Sequence, residues 1–128
     1  MSDDPIRTLT ILQQMSVDVI VDAICGCKAA RDVLDERARQ QDVEGWTPDR
    51  DDGYVQFELG KAAAGYVAAA ILWDETRESA ALRTPPGIWP WHRDWWKPTD
   101  RRRDLVKAAA LIIAEIERLD RADEAAKP

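Results

Sequence analysis

A chain of 128 residues with a net charge of −6 has room for one domain and lacks the broad basic face that general nucleic-acid binding needs. Its 45% hydrophobic and 33% charged residues exclude a disordered chain, and at this length about two-thirds of the unfolded surface can be buried with no metal or disulfide staple. No apolar run approaches the roughly 20 residues of a membrane span, and the acidic N-terminus is unlike an export signal, so a cytoplasmic protein is expected.

Helix-forming residues dominate and glycine is scarce outside turns, so the expected fold is all-α. It is a single domain of about four helices over 1–128, with 1–7 and 122–128 frayed and a Trp/Pro-rich loop before the last helix. The first helix is expected over residues 8–24, carrying Leu9, Leu12, Val17, Ile20 and Ile24, and is loosened near Gly26. Cys25 and Cys27, one residue apart, suit neither a disulfide nor a zinc site and are expected to be ordinary buried or half-buried thiols.

The second helix, over 29–43, has Val33 and Leu34 as its few apolar anchors. A helix this polar either lies on the surface or lines a site. A turn follows at Gly45-Trp46-Thr47-Pro48. The third helix is expected to start at Asp51 or Asp52 and to run unbroken to Trp73, its alanine-rich middle admitting a close neighbour.

From Thr84 to Thr99 five prolines and glycines forbid a long helix, while Trp89, Trp91, Trp95 and Trp96 crowd together. The last helix is expected from Thr99 or Asp100 to about Arg121. Its repeat of Leu105, Ala109, Ile112, Ile116 and Leu119 is the strongest periodic signal in the chain. Pairing that stripe with the third helix predicts a core of Leu59, Ala63, Tyr66, Leu105, Ala109, Ile112 and Ile116. The surplus of apolar stripe predicts a homo-oligomer.

Several segments in order, Glu36-Arg37-Ala38-Arg39-Gln40, Glu44-Gly45-Trp46-Thr47-Pro48, Asp51-Asp52, Glu58-Leu59, Trp89-Pro90-Trp91, Trp96-Lys97-Pro98 and Arg103-Asp104-Leu105-Val106-Lys107 through Asp120-Arg121, resemble a small phage and prophage family of mostly unassigned function. The resemblance covers about residues 30–121. More distantly, the opening and closing helices resemble the MazG-like all-α nucleoside triphosphate pyrophosphatases. That likeness implies an oligomeric bundle binding nucleotide between helices, with magnesium held by carboxylates one turn apart. Here Glu58 is followed four positions on by Ala62 and Asp104 three positions on by Lys107, so each pair lacks a member. For an enzyme, the resemblance leaves Glu58, Asp104, Glu117 and Asp120 as the magnesium ligands; otherwise no cofactor is expected.

The stronger chemical signal is local. Between His92 and Lys107 the bases Arg93, Lys97, Arg101, Arg102, Arg103 and Lys107 face only Asp94, Asp100 and Asp104, which suits a small anion. Aromatic faces stack on bases, guanidinium groups pair with phosphate, and a helix start presents free N–H groups. The candidate ligand residues are therefore Trp89, Trp91, Trp96, Lys97, Arg101, Arg102 and Arg103, with Arg37 and Arg39 from the polar second helix. Some of the tryptophans are expected to be loop anchors instead. The expected partner is a small phosphorylated nucleotide, possibly cyclic or ADP-ribose-derived, captured without turnover. The competing expectations are a magnesium-dependent pyrophosphatase and a protein–protein adaptor using the tryptophan surface. No membrane and no nucleic-acid polymer are expected as partners, and the setting is the cytoplasm of a bacterial host.

Overall fold

A helix whose buried face is Leu59, Ala62, Ala63, Tyr66, Ala69 and Ala70 presents little bulk, so a second helix can come close along its whole length. In the computed structural model, which describes residues 16, 17, 19, 20 and 26–128, this is the most extensive helix–helix contact. The described residues form helices and turns and no strand, so the fold is all-α. Contacts divide the chain into two compact units, Met1–Asp32 and Val33–Pro128. The helix expected over 8–24 and the frayed end expected over 1–7 fall outside the described residues, apart from residues 16, 17, 19 and 20.

Five helices follow among the described residues: α1 (Lys28–Asp42), α2 (Pro48–Asp52), α3 (Glu58–Ala70), α4 (Asp74–Arg77) and α5 (Arg101–Ala126). Two short 3₁₀ turns, Ala80–Arg83 and Arg93–Trp95, shape the chain between α4 and α5. Local chemistry sets the boundaries. Gly45 at φ +73° reverses the chain after α1, which lets the Trp46 N–H reach back to the Gln40 carbonyl. Thr47 caps α2 by accepting from the Arg50 N–H, with Pro48 in the first turn. Asp100 caps α5 by accepting from the Arg103 N–H.

The unbroken third helix expected from the sequence is two helices. Gly53 closes α2, and Phe57 enters α3 in a left-handed conformation at φ 67°, a backbone state that interrupts any helix. The helix also ends at Ala70, short of its expected end at Trp73, which stands exposed at the start of α4. The last helix overruns the expected frayed tail and continues to Ala126. Cys27 is free and exposed rather than buried; Cys25 lies outside the described residues.

The core joins Leu59, Ala62, Ala63, Tyr66 and Ala69 of α3 to Ala108, Leu111 and Ala114 of α5, and Trp96 closes one end. The expected contributions of Leu59, Ala63 and Tyr66 hold. Those of Leu105, Ile112 and Ile116 do not, because these side chains are 45–52% exposed and Ala109 is only half-buried. With about 100° of rotation per residue, the stripe lies on the side of α5 opposite Leu111 and Ala114. The inward face is made of small alanines because α3 is itself alanine-rich there, and bulkier side chains would hold the two helices apart.

Gly65 sits where α3 meets the tryptophans. A Cβ at this position would lie 3.2 Å from Trp89 and 3.4 Å from Trp96. Tyr66 stacks on Trp96 with ring centroids 5.0 Å apart, Trp89 meets Trp96 edge-on at 4.9 Å, and the Trp96 Nε1–H donates to the Leu82 carbonyl at 2.9 Å. The Gly65→Val variant should therefore lose about 1–3 kcal/mol through overpacking. Thermal unfolding followed by circular dichroism is the check, and a melting temperature at or above that of the parent would contradict the packing described.

Candidate functional site

The buried side chains of α1 are polar: Glu36, Arg37 and Gln40. The Glu36 carboxylate accepts from Arg103 Nη2 at 2.7 and 2.8 Å and from Arg39 Nε on its own helix. Arg39 reaches on to Glu44 at 2.9 Å, and its guanidinium pKa is raised, first by the bond to Glu36. Arg37 donates to the buried Asp51 at 2.9 Å and lies 3.4 Å from Glu117. Burial pushes the Asp51 carboxyl above its ordinary range, with Arg37 opposing that shift. The polar second helix of the sequence thus faces a charged interior.

Beyond the end of α1 the chain builds an aromatic cleft of about 230 Å³ from Trp46, Arg50, Tyr54, Trp91, His92 and Trp95. Trp91 is its back wall, with ring centroids 5.8 Å from Trp46, 5.4 Å from Tyr54 and 5.4 Å from Trp89. The Arg50 guanidinium lies over the rings of Trp46 and Tyr54, at 5.0 and 5.6 Å from their centroids. Trp46 and Trp95 also border a narrower slot of about 40 Å³ shared with Arg39, Gln40, Glu44, Tyr66, Lys97 and Lys107.

The slot is cationic on one side. Lys107 Nζ donates to the Lys97 carbonyl at 2.7 Å and lies 5.4 Å from the Tyr66 ring centroid, while Lys97 Nζ lies 5.4 Å from that of Trp95. Burial lowers the Lys107 pKa, because a half-buried ammonium has lost part of its hydration. Three buried polar atoms bordering the cleft and the slot have no hydrogen-bond partner: Gln40 Oε1, Trp46 Nε1 and Trp91 Nε1. Buried polar groups are nearly always satisfied, so two donors and an acceptor without partners on neighbouring lining residues set this region apart from the rest of the core.

The residues expected from the sequence separate into two groups. Trp91, Lys97 and Arg39 are brought to this opening. Trp89 and Trp96 anchor the loop on Tyr66 and Gly65, with Trp89 serving as an outer support to Trp91. Arg101 closes the end of α3, donating to the Ala70 and Leu72 carbonyls and pairing with Asp74. Arg103 is held by Glu36 and Arg37 by Asp51. Arg102, exposed in the first turn of α5, is not part of either lining. Sequence reasoning missed Trp46, Arg50, Tyr54, Trp95, Gln40 and Lys107. The signal for Trp46 was its place in a glycine-marked turn directly after the polar helix.

The carboxylates implied by the pyrophosphatase resemblance do not fit a magnesium centre. Asp104 is fully buried, with one oxygen accepting from Arg77 Nη2 and the other from the Thr99 N–H, each at 2.8 Å. Glu58 accepts from the Gln56 N–H, Glu117 from Arg37, and Asp120 is exposed toward the far end of α5. Among the described residues no three His, Cys, Asp or Glu side chains are grouped to hold a metal ion. No helix among them is long and apolar enough to cross a membrane. The chain matches no protein family, no curated protein and no solved structure.

Tyr66 links the core to the slot: its hydroxyl accepts from the Lys97 N–H at 3.4 Å, and burial lifts its pKa from 10.0 to about 12. A raised pKa means the fold favours the neutral phenol. The contribution of Tyr66 to stability is then complete below pH 10 and is lost as pH rises through about 12. An ultraviolet titration of the folded protein should show a late phenolate step that Tyr66→Phe removes. A late step that persists in the variant would assign it elsewhere.

Proposed function

We propose that the protein binds a small phosphorylated nucleotide in the paired clefts and holds it without turnover. The observation that carries this reading is an aromatic cleft and a cationic slot that share Trp46 and Trp95, with three unpartnered buried polar atoms on their lining residues. The cleft of about 230 Å³ is below the usual size for a whole drug-like ligand and suits one ring system. Stacking against Trp46 and Trp91 supplies affinity tolerant of ring identity, and the unpartnered N–H and C=O groups supply selection at the ring edge. Lys97, Lys107 and Arg50 offer positive charge to a phosphate at the cleft margin.

The absence of turnover rests on the acids. Asp104, Glu58 and Glu117 are each committed to hydrogen bonds within the fold, and Asp104 has no free oxygen to offer a cation. In this reading the protein is a phage-type sequestering factor in the cytoplasm of a bacterial host. It removes a signalling nucleotide, cyclic or derived from ADP-ribose, from the host's defence.

The test is a nucleotide panel measured by calorimetry, followed by chromatography of the species recovered from the denatured complex. One class of nucleotide should bind and be recovered unchanged. Trp46→Ala should weaken it about ten- to a hundredfold, the equivalent of ~1–3 kcal/mol of stacking. Lys107→Met should weaken phosphorylated forms more than the free nucleoside and flatten the salt dependence. Failure of every nucleotide to bind ends the proposal. Metal-dependent release of pyrophosphate, lost in Glu58→Ala, would replace it with the enzyme.

A further inference from the structure

The first 3₁₀ turn and the segment after Trp95 border a hollow of about 410 Å³, a volume found among small-molecule sites. Its lining includes Arg77, Glu78, Leu82, Arg83, Trp96 and Lys97. It shares no residue with the aromatic cleft and only Lys97 with the slot.

One hydrogen bond shapes it. The Trp96 Nε1–H donates to the Leu82 carbonyl at 2.9 Å and clips the two segments together. The residue that follows each partner is a cation, Arg83 after Leu82 and Lys97 after Trp96, so the clip brings two positive side chains to one hollow. Arg77 is a fixed wall whose charge is answered within the fold: it donates to the Ala69 and Thr99 carbonyls and to Asp104. Arg83 differs. Among the described residues its side chain forms no ion pair and no hydrogen bond, and the Lys97 ammonium has only the Trp95 ring, with the centroid 5.4 Å away. Glu78, the acid on the lining, pairs with neither of them. Two uncommitted cations gathered at a concave surface raise the local potential and draw in an anion.

We infer that this hollow is an anion site whose ligand is a phosphate group held by Arg83 and Lys97. A guanidinium takes two phosphate oxygens in fork geometry, and an ammonium takes another as a point charge. A carboxylate has only two oxygens to divide between the cations, whereas a phosphate monoester has three. Leu82 and Trp96 add apolar surface for the carbon skeleton that bears the phosphate. Glu78 works against the bound charge and holds the affinity below what the two cations alone would give. The site stands whether or not a nucleotide occupies the cleft. Its phosphate belongs either to the outer end of such a nucleotide or to a separate phosphorylated compound.

The test is heteronuclear NMR of the full chain titrated with inorganic pyrophosphate at constant ionic strength. Saturable shifts are expected at the amides of residues 79–83 and 96–97 and at the Trp96 indole N–H. Arg83→Met should weaken binding about tenfold, and Glu78→Gln should tighten it about two- to fivefold. Both side chains are exposed, so neither substitution reaches the core. Adenosine mono- and triphosphate separate the two sources. A triphosphate that binds more tightly than the monophosphate in the parent, but equally in Arg83→Met, assigns the hollow to a nucleotide's outer phosphates. Pyrophosphate that binds alongside the triphosphate without competition assigns it to a separate compound. Pyrophosphate binding that is absent, that is unchanged in Arg83→Met, or that shifts only Trp95 and Lys107 around the slot overturns the inference, whatever the nucleotides do.

Discussion

Burying a carboxylate removes it from water at a cost that only close and well-directed cations offset, and Glu36 is 2% exposed. Arg103 meets both of its oxygens from α5, and Arg39 meets it along α1. These bonds, with Arg37 on Asp51, fix the rotation of the C-terminal part of α1 against α5, where that helix has little apolar surface to do so. Everything at the candidate site follows from that rotation. It turns Gln40 and Arg39 toward the slot, aims the Gly45 reversal, and through the reversal sets Trp46 against Trp91. Removing one member of such a buried pair leaves a charge with nothing to answer it, a loss of about 3–5 kcal/mol in comparable cases. The price of a charged interior is fragility, and what it supplies is a single orientation.

The same interactions explain what could be read in advance. Helical character was plain because alanine, leucine, arginine and glutamate fill the chain, and the inner face of α3 was plain because Leu59, Ala63 and Tyr66 stand at helical spacing. The inner face of α5 was not. It contains Asp104, Ala108, Leu111, Ala114 and Arg118, a mixture whose apolar signal is weaker than that of the exposed stripe beside it. Periodicity identifies an apolar face but does not say which neighbour it has. With two such faces on one helix, the more hydrophobic was assigned to the interior and belongs to the surface.

The arginines were unreadable for a different reason. Arg103 and Glu36 are 67 residues apart, and Arg77 and Asp104 are 27 apart, so local context gives no indication that these cations are already committed. A basic cluster in the text became several structural ion pairs in space. The tryptophans part in space in a way that their neighbours in the chain explain. Tryptophans at short spacing next to prolines divided into anchors, Trp89 and Trp96, and a cleft wall, Trp91, according to which of them met the small side of α3 at Gly65.

Arg50 gives the aromatic cleft a property that a bare set of rings would lack. Its guanidinium already covers one face of Trp46 and of Tyr54. A flat molecule that enters on that face takes part in an exchange, displacing a resident cation, and its net affinity is the difference between two stacking partners. Guanidinium keeps its charge at any physiological pH, so once displaced it must be received by water or by an anion. A neutral ring leaves the first outcome, whereas a ring that brings its own phosphate provides the second. Under the proposed nucleotide reading, the cleft therefore contains an internal competitor that would penalise the uncharged form of a ring entering on that face.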